Sequence, residues 1–215
     1  MTEINKLTYG NPTIEEKKLI EKSNFLDGLF LELKRHPFPF NGSELVKDEL
    51  NEIVDFTSSM ELEENDGYLK RYKGYDRSLL QFINSSFKQK GIDTEQITND
   101  VVSDISGLIT KLKYFYQRPR PNQLAQAYKL KLFPYKSYTA NSPSYPSKST
   151  VEAFVVLNVI GNRHPTFFTL CKEMIDDIAY SRCYLGLNYQ TDIDFSKEVG
   201  KAILKNKEFS KKYQI

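Results

Sequence analysis

Apolar residues recur at three- and four-residue intervals almost from end to end of this chain, and nowhere do they alternate with polar ones as a half-buried strand requires. Such a chain has to pack helix on helix. In 14–35, IEEKKLIEKSNFLDGLFLELKR, the residues Leu19, Ile20, Phe25, Leu26, Leu29, Phe30 and Leu33 form one stripe, which predicts a single helix. PFPFNG at 37–42 ends it, because two prolines and a glycine cannot continue the ladder. Asn41 with Glu44 reads as a capping box opening a second helix to about residue 60. The charged stretch ELEENDGYLKRYKGYD reads as a loop with at most one helical turn, followed by the helix RSLLQFINSSFKQK, which closes at Gly91.

Asp93 and Gln96 predict the start of a long helix over about 95–116, halted by RPRPN. From 121 to 146 the chain is rich in Pro, Ser, Tyr and Asn, with at most a short helix in QLAQAYKL. Helices follow at about 147–161, 165–186 with Pro165 at the permitted first position, and 192–206. The expectation is an all-α, single-domain helical bundle over 1–215, with 1–35 as an N-terminal helix and extension. Its long irregular middle loop is of a kind that often carries function.

A chain of 215 residues buries a substantial core. Its 30 basic and 28 acidic residues leave a formal charge of +2, so no global field draws it to nucleic acid or an anionic membrane, and anion recognition has to be local. MTEINKLTYGNPTIEEKK lacks the basic start, apolar centre and cleavage site of a secretory signal, and no apolar run approaches the roughly 20 residues of a membrane span. The reading is of a soluble, cytoplasmic protein. Cys171 and Cys183 fall in one predicted helix, roughly 18 Å apart at about 1.5 Å per residue, and read as buried free thiols. No Cys/His cluster at ligand spacing, Gly-rich phosphate loop or dinucleotide fingerprint occurs, so neither metal nor cofactor is expected.

Three polar stretches stand out against this background. In KLKYFYQRPRP, 111–121, Lys111 and Arg118 are seven apart, close to two turns, and can share a face; basic residues in a last turn also suit the helix dipole. YPSKST, 145–150, sets Ser147, Lys148 and Ser149 at the start of a buried helix. That is either capping or an anion site on free N–H groups. In SRCYLGLNYQTDID, 181–194, Arg182 ends a largely apolar helix, Gly186 permits a close turn, and Asp192 begins the next helix, where a cap is the plain alternative.

In this order the stretches resemble the three-part signature of the type 2 phosphatidic acid phosphatase and vanadium haloperoxidase superfamily. That signature is Lys, six residues, Arg-Pro; then Pro-Ser-Gly-His; then Ser-Arg, five residues, His, three residues, Asp. Lys111, Arg118 and Pro119 fit the first part, Pro146 and Ser147 the second, and Ser181, Arg182, Gly186 and Asp192 the third. GLNYQTDIDFSKEVGKAI and PFPFNGSELVKDELNEI are similar to segments of bacterial class A non-specific acid phosphatases. The likeness covers about 36–206. It implies a helical bundle of that type, in which Lys111, Arg118, Ser147 and Arg182 hold phosphate oxygens.

The departures fall on both active-site histidines. The attacking position is Asn188, beside the orienting Asp192; the leaving-group proton donor is Ser149, after Lys148 in place of glycine. An amide is a poor nucleophile and serine has no group titrating near neutrality. Lys148 either adds a phosphate contact, folds outward, or fills the space glycine leaves. His36 and His164 read as loop or helix-end residues, with His164 about 20 Å or more from Ser147 along its helix.

Three functions stay open on these residues. One is a pseudophosphatase that binds phosphate or a phosphorylated small molecule without phosphohistidine chemistry. The second is an active phosphatase using water positioned by Asp192, or Ser149 or Tyr189 as nucleophile. The third is an interaction protein whose Lys111, Arg118, Arg182 and Asp192 form an internal salt-bridge network. Vanadate is expected to bind only as a phosphate mimic, since haloperoxidase chemistry relies on the missing histidine. The partner expected is the phosphorylated ligand, with no nucleic acid and no membrane span.

Overall fold

Residues 3–60 and 67–215 are described in a computed structural model of the chain, and the regular elements among them are all helical. They are α1 (Ile14–Glu21), α2 (Asp27–Leu33), α3 (Glu44–Met60), α4 (Gly67–Lys88), α5 (Glu95–Tyr116), α6 (Pro121–Ala127), α7 (Lys148–Arg163), α8 (Phe168–Tyr184), α9 (Gln190–Lys205) and α10 (Lys207–Tyr213). The bundle is built round α7. Val151, Ala153, Val155, Val156, Leu157, Val159 and Ile160 are all buried, so this helix faces protein on nearly every side. A helix apolar all round belongs in the interior.

α7 packs on α8, α9 and α5. The approach to α9 depends on Gly200, where a Cβ would lie 2.4 Å from Cδ1 of Phe154. A second, smaller cluster joins α3 to α6 through Val46, Leu50, Ile53, Leu124 and Ala125, with Tyr189 against them. From Lys129 to Ser147 the chain is irregular and wraps the end of α5, with the Ser144 N–H donating to the Arg118 carbonyl at 3.0 Å.

Several boundaries differ from expectation, each for a local reason. The helix expected over 14–35 is two, α1 and α2. Asp27 accepts from the Ser23 hydroxyl at 2.5 Å and the Asn24 N–H at 3.0 Å, while Asn24 accepts from the Leu26 N–H at 2.8 Å. These side chains satisfy backbone donors that would otherwise continue the ladder. Asn41 is not a helix cap: its amide donates to the carbonyls of Ile4 and Leu7, tying down the N-terminal segment, and Ser43 accepts from the Val46 N–H at 3.3 Å instead.

The loop expected over 61–76 lies outside the described residues for 61–66; the remainder, from Gly67, is already α4, broken at Ser78 (φ −159°, ψ 72°). Tyr72, Tyr75 and Leu69 are buried in that extension, so its charges mask an amphipathic helix. α10 follows the helix expected to be last. Gly91 does terminate its helix, at φ +78°, and both cysteines are buried free thiols in α8.

Candidate functional site

The stripe of α5 that faces the core is spaced by fours: Val101, Ile105 and Ile109, all fully buried. The next position in that ladder is Lys113, also buried at 2 % exposure. Two residues rotate a helix by about 200°. Lys111 accordingly faces the other way, pairing with Asp27 in an outer groove with Ile20, Phe30, Tyr114 and Phe115.

Seven residues beyond Lys113, with six between, comes Arg120, followed by Pro121 at the first position of α6. The Lys-six-Arg-Pro spacing therefore fits twice in KLKYFYQRPRP, and the structure brings the second frame, Lys113 and Arg120, to the cavity described below. Neither Lys111 nor Arg118, which the resemblance implies as phosphate ligands, lines that cavity.

Arg118 is fully buried elsewhere. Its guanidinium donates to Asp192 at 2.6 Å, to the Thr191 hydroxyl at 2.7 Å and to Glu49 at 3.3 Å, and lies 4.0 Å from the Tyr189 ring centre. Glu49 also accepts from the Thr191 N–H at 2.5 Å. Burial raises the Glu49 carboxyl above its ordinary range despite the pull of Arg118. Arg118 thus fastens the start of α9 to α3. The network of Lys111, Arg118, Arg182 and Asp192 is not continuous: only Arg118 and Asp192 pair with each other, while Lys111 takes Asp27 and Arg182 takes Asp76.

Between α1, α4, α5, α7 and α8 lies a cavity of about 390 Å³, lined by Lys113, Arg120, Ser147, Lys148, Ser149, Arg182 and Asn188 together with Asp76, Glu152 and the apolar Leu19, Leu79, Leu80 and Val102. Arg120 is oriented by backbone oxygens, Nε to Ser142 and Nη1 to Leu187, both at 2.8 Å. Lys113 donates to the Pro143 carbonyl, which Arg120 Nη2 also reaches at 3.4 Å. Arg182 pairs with Asp76 at 2.9 Å, and its Nε is buried without a partner. Gly186, at φ +69°, bends the chain after α8 so that the amides of Leu187 and Asn188 both return to the Arg182 carbonyl. That turn puts Asn188 and Arg182 on the same wall.

Ser147 is the N-cap residue of α7, yet its hydroxyl caps nothing. It accepts from Thr150 Oγ1 at 2.9 Å, and its N–H donates to Ser196 Oγ at 2.8 Å. The first-turn amides are left without a side-chain cap where Ser147, Lys148 and Ser149 line the cavity. Lys148 does not fill the space of a missing glycine. Its side chain is 55 % exposed at the rim, 3.7 Å from Glu152.

Burial lowers Lys113 well below the ordinary lysine range, and the charges of Arg120, Lys148 and Arg182 add to the effect against a smaller pull from Asp192. Burial, then Arg182, brings Arg120 down to about 10. Arg182 is lowered by burial, which Asp76 opposes. For Asp76 burial acts upward, but Arg182 and the donors Ser137, Thr139 and the Tyr138 N–H outweigh it and leave the carboxyl low. Burial raises Glu152, with Lys148 pulling the other way.

Asn188 accepts from Arg120 at 3.3 Å and donates to the Ser144 carbonyl at 2.8 Å and to Asp192 at 2.9 Å. The two Asp192 oxygens accept from Arg118, Ser144, Asn188 and the Tyr189 N–H. That fills the roughly four acceptor positions of a carboxylate, and Asp192 is fully buried, so it has no lone pair left to steer a water. Tyr189 is buried behind the cavity, its hydroxyl unpartnered, and does not line it. Ser149 does. Neither histidine reaches the cavity: His36 stacks on Phe195 and bonds to Tyr145, and His164 ends α7.

No family model and no curated protein matches the sequence. In backbone arrangement the chain is similar to the crystal structure of a transmembrane PAP2-type phosphatidylglycerolphosphate phosphatase from Bacillus subtilis. The TM-score is 0.54 at 17 % sequence identity, over 93 % of this chain and 98 % of that one. The fold is that of a PAP2-type phosphatase, all-α. Among the described residues no helix here is long and apolar enough to cross a membrane.

Proposed function

We propose that this chain binds phosphate, or the phosphate of a small organic ester, between Arg120, Arg182 and the first turn of α7, and does not transfer it. Within the superfamily the reading is closest to the class A acid phosphatases, on the segment GLNYQTDIDFSKEVGKAI. One observation carries the proposal: guanidinium groups from the head of α6 and from α8 converge on a cavity with an uncapped helix start, lined also by Asn188 and Ser149, the residues at which the resemblance implies the attacking and proton-donating groups. The buried Nε of Arg182, with no partner, suits an oxyanion. Forked guanidinium contacts hold phosphate whether or not reaction follows, because they depend on charge and geometry alone.

Isothermal titration with inorganic phosphate and vanadate tests the reading. One saturable site is expected. A lost charge-assisted hydrogen bond is worth about 1.5–3 kcal/mol, so Arg120→Gln weakens binding by roughly 10- to 150-fold, whereas Lys111→Ala changes it by less than about 3-fold. No heat with either anion sinks the proposal. Steady hydrolysis of p-nitrophenyl phosphate that disappears in Ser149→Ala replaces it with a modified phosphatase mechanism.

A further inference from the structure

Of the basic side chains that line the cavity, Lys113 is the buried amine. Arg120 and Arg182 remain protonated throughout the physiological range, and Lys148 is exposed beside Glu152. Lys113 differs from all three. It is buried, it lines the cavity, and no carboxylate lies within ion-pair distance of it among the described residues. Its bond is to a neutral acceptor, the Pro143 carbonyl. Of the carboxylates whose charge reaches it, Asp192 is occupied by Arg118, Ser144, Asn188 and the Tyr189 N–H, Glu152 faces Lys148, and Glu16 accepts from Tyr114 and the Thr13 N–H.

An ammonium placed among like charges and away from water is disfavoured, and the neutral amine is a nucleophile. The neutral form can keep one N–H on the Pro143 carbonyl and still hold a lone pair. The cradle does not need a further cation, since two guanidinium groups and free helix amides already serve an anion.

The cavity also extends beyond the cradle. Along α5 its lining runs from Lys113 through Thr110 to Val102, roughly 16 Å at about 1.5 Å per residue, and its far wall is apolar at Leu79, Leu80 and Val102. A phosphate fills only the cationic end, leaving room for a flat or apolar organic body.

We propose that Lys113 forms an imine with a phosphorylated aldehyde whose phosphate rests on Arg120, Arg182 and the first turn of α7. The inference rests on the phosphate reading above. The amine nitrogen adds to the carbonyl carbon, the carbonyl oxygen departs as water with the two amine protons, and a C=N bond replaces C=O. No oxidant or reductant takes part, and hydrolysis reverses the step.

Pyridoxal 5′-phosphate is the probe, followed by borohydride reduction and peptide mapping. The expected result is a reduced adduct at Lys113 that falls at least about tenfold with excess inorganic phosphate and with unphosphorylated pyridoxal, the fold-change of one lost anchoring contact. Lys113→Met abolishes it while keeping a cooperative melt; should that variant fail to fold, the wild-type maps with and without phosphate decide. Adducts confined to exposed lysines, or a Lys113 adduct indifferent to phosphate, overturn the imine even if titration finds the anion bound. Absence of both adduct and phosphate binding overturns the reading beneath it.

Discussion

Arg118 and Arg120 stand either side of one proline and face different partners: buried carboxylates for the first, carbonyls and a cavity for the second. Removing the first guanidinium leaves Asp192 and Glu49 buried without their counter-ion. Breaking a buried pair from one side costs about 3–5 kcal/mol, and Arg118→Met is expected to lose that much in urea unfolding. The same loss from Lys111→Met would contradict this assignment, since its partner Asp27 is open to solvent. Spacing alone cannot tell the two Lys-six-Arg-Pro frames apart. The apolar ladder can: Val101, Ile105, Ile109 and Lys113 fall four apart, so the sequence does mark which lysine points inward, through a periodicity that a motif pattern ignores. Asp76 and Glu152 had no such marker, because their burial follows from contacts between distant segments.

At the level of elements, the turn joining α8 to α9 sets the site. Gly186 has φ +69°, and a Cβ there would stand 2.8 Å from Cγ2 of Thr57 and 3.4 Å from Pro134. Gly186→Ala is expected to cost about 1–3 kcal/mol in chemical denaturation. It should also weaken phosphate binding, since the turn returns the Leu187 and Asn188 amides to Arg182. A wild-type-like denaturation midpoint would show that the turn relaxes freely. α5, α7, α8 and α9 were legible because their stripes are long and their ends carry Gly, Pro or acidic residues. The break between α1 and α2 was not: Leu26 and Leu29 keep the helical period while Ser23, Asn24 and Asp27 take over the backbone donors. The first turns of α4 are masked because the tyrosines of their buried face, Tyr72 and Tyr75, are set between lysines and arginines.

On the scale of the whole molecule, an anion held as proposed would join the head of α6, the first turn of α7 and α8, so its free energy would add to the stability of the folded bundle. At a hundred times the dissociation constant the gain is about 2.7 kcal/mol, or roughly 5–11 °C in melting temperature for a chain of this size. Scanning calorimetry at graded phosphate should show that rise, and a melting temperature independent of phosphate would exclude occupancy of the folded state. Asp76 gives the bundle one more property. The same carboxylate that grips Arg182 also receives Ser137, the Tyr138 N–H and Thr139, on a stretch 61 to 63 residues further along the chain. A guest that draws the guanidinium away leaves Asp76 holding only that outer stretch. On the proposed reading, a small ion deep inside would thereby gain a lever on the protein's exterior.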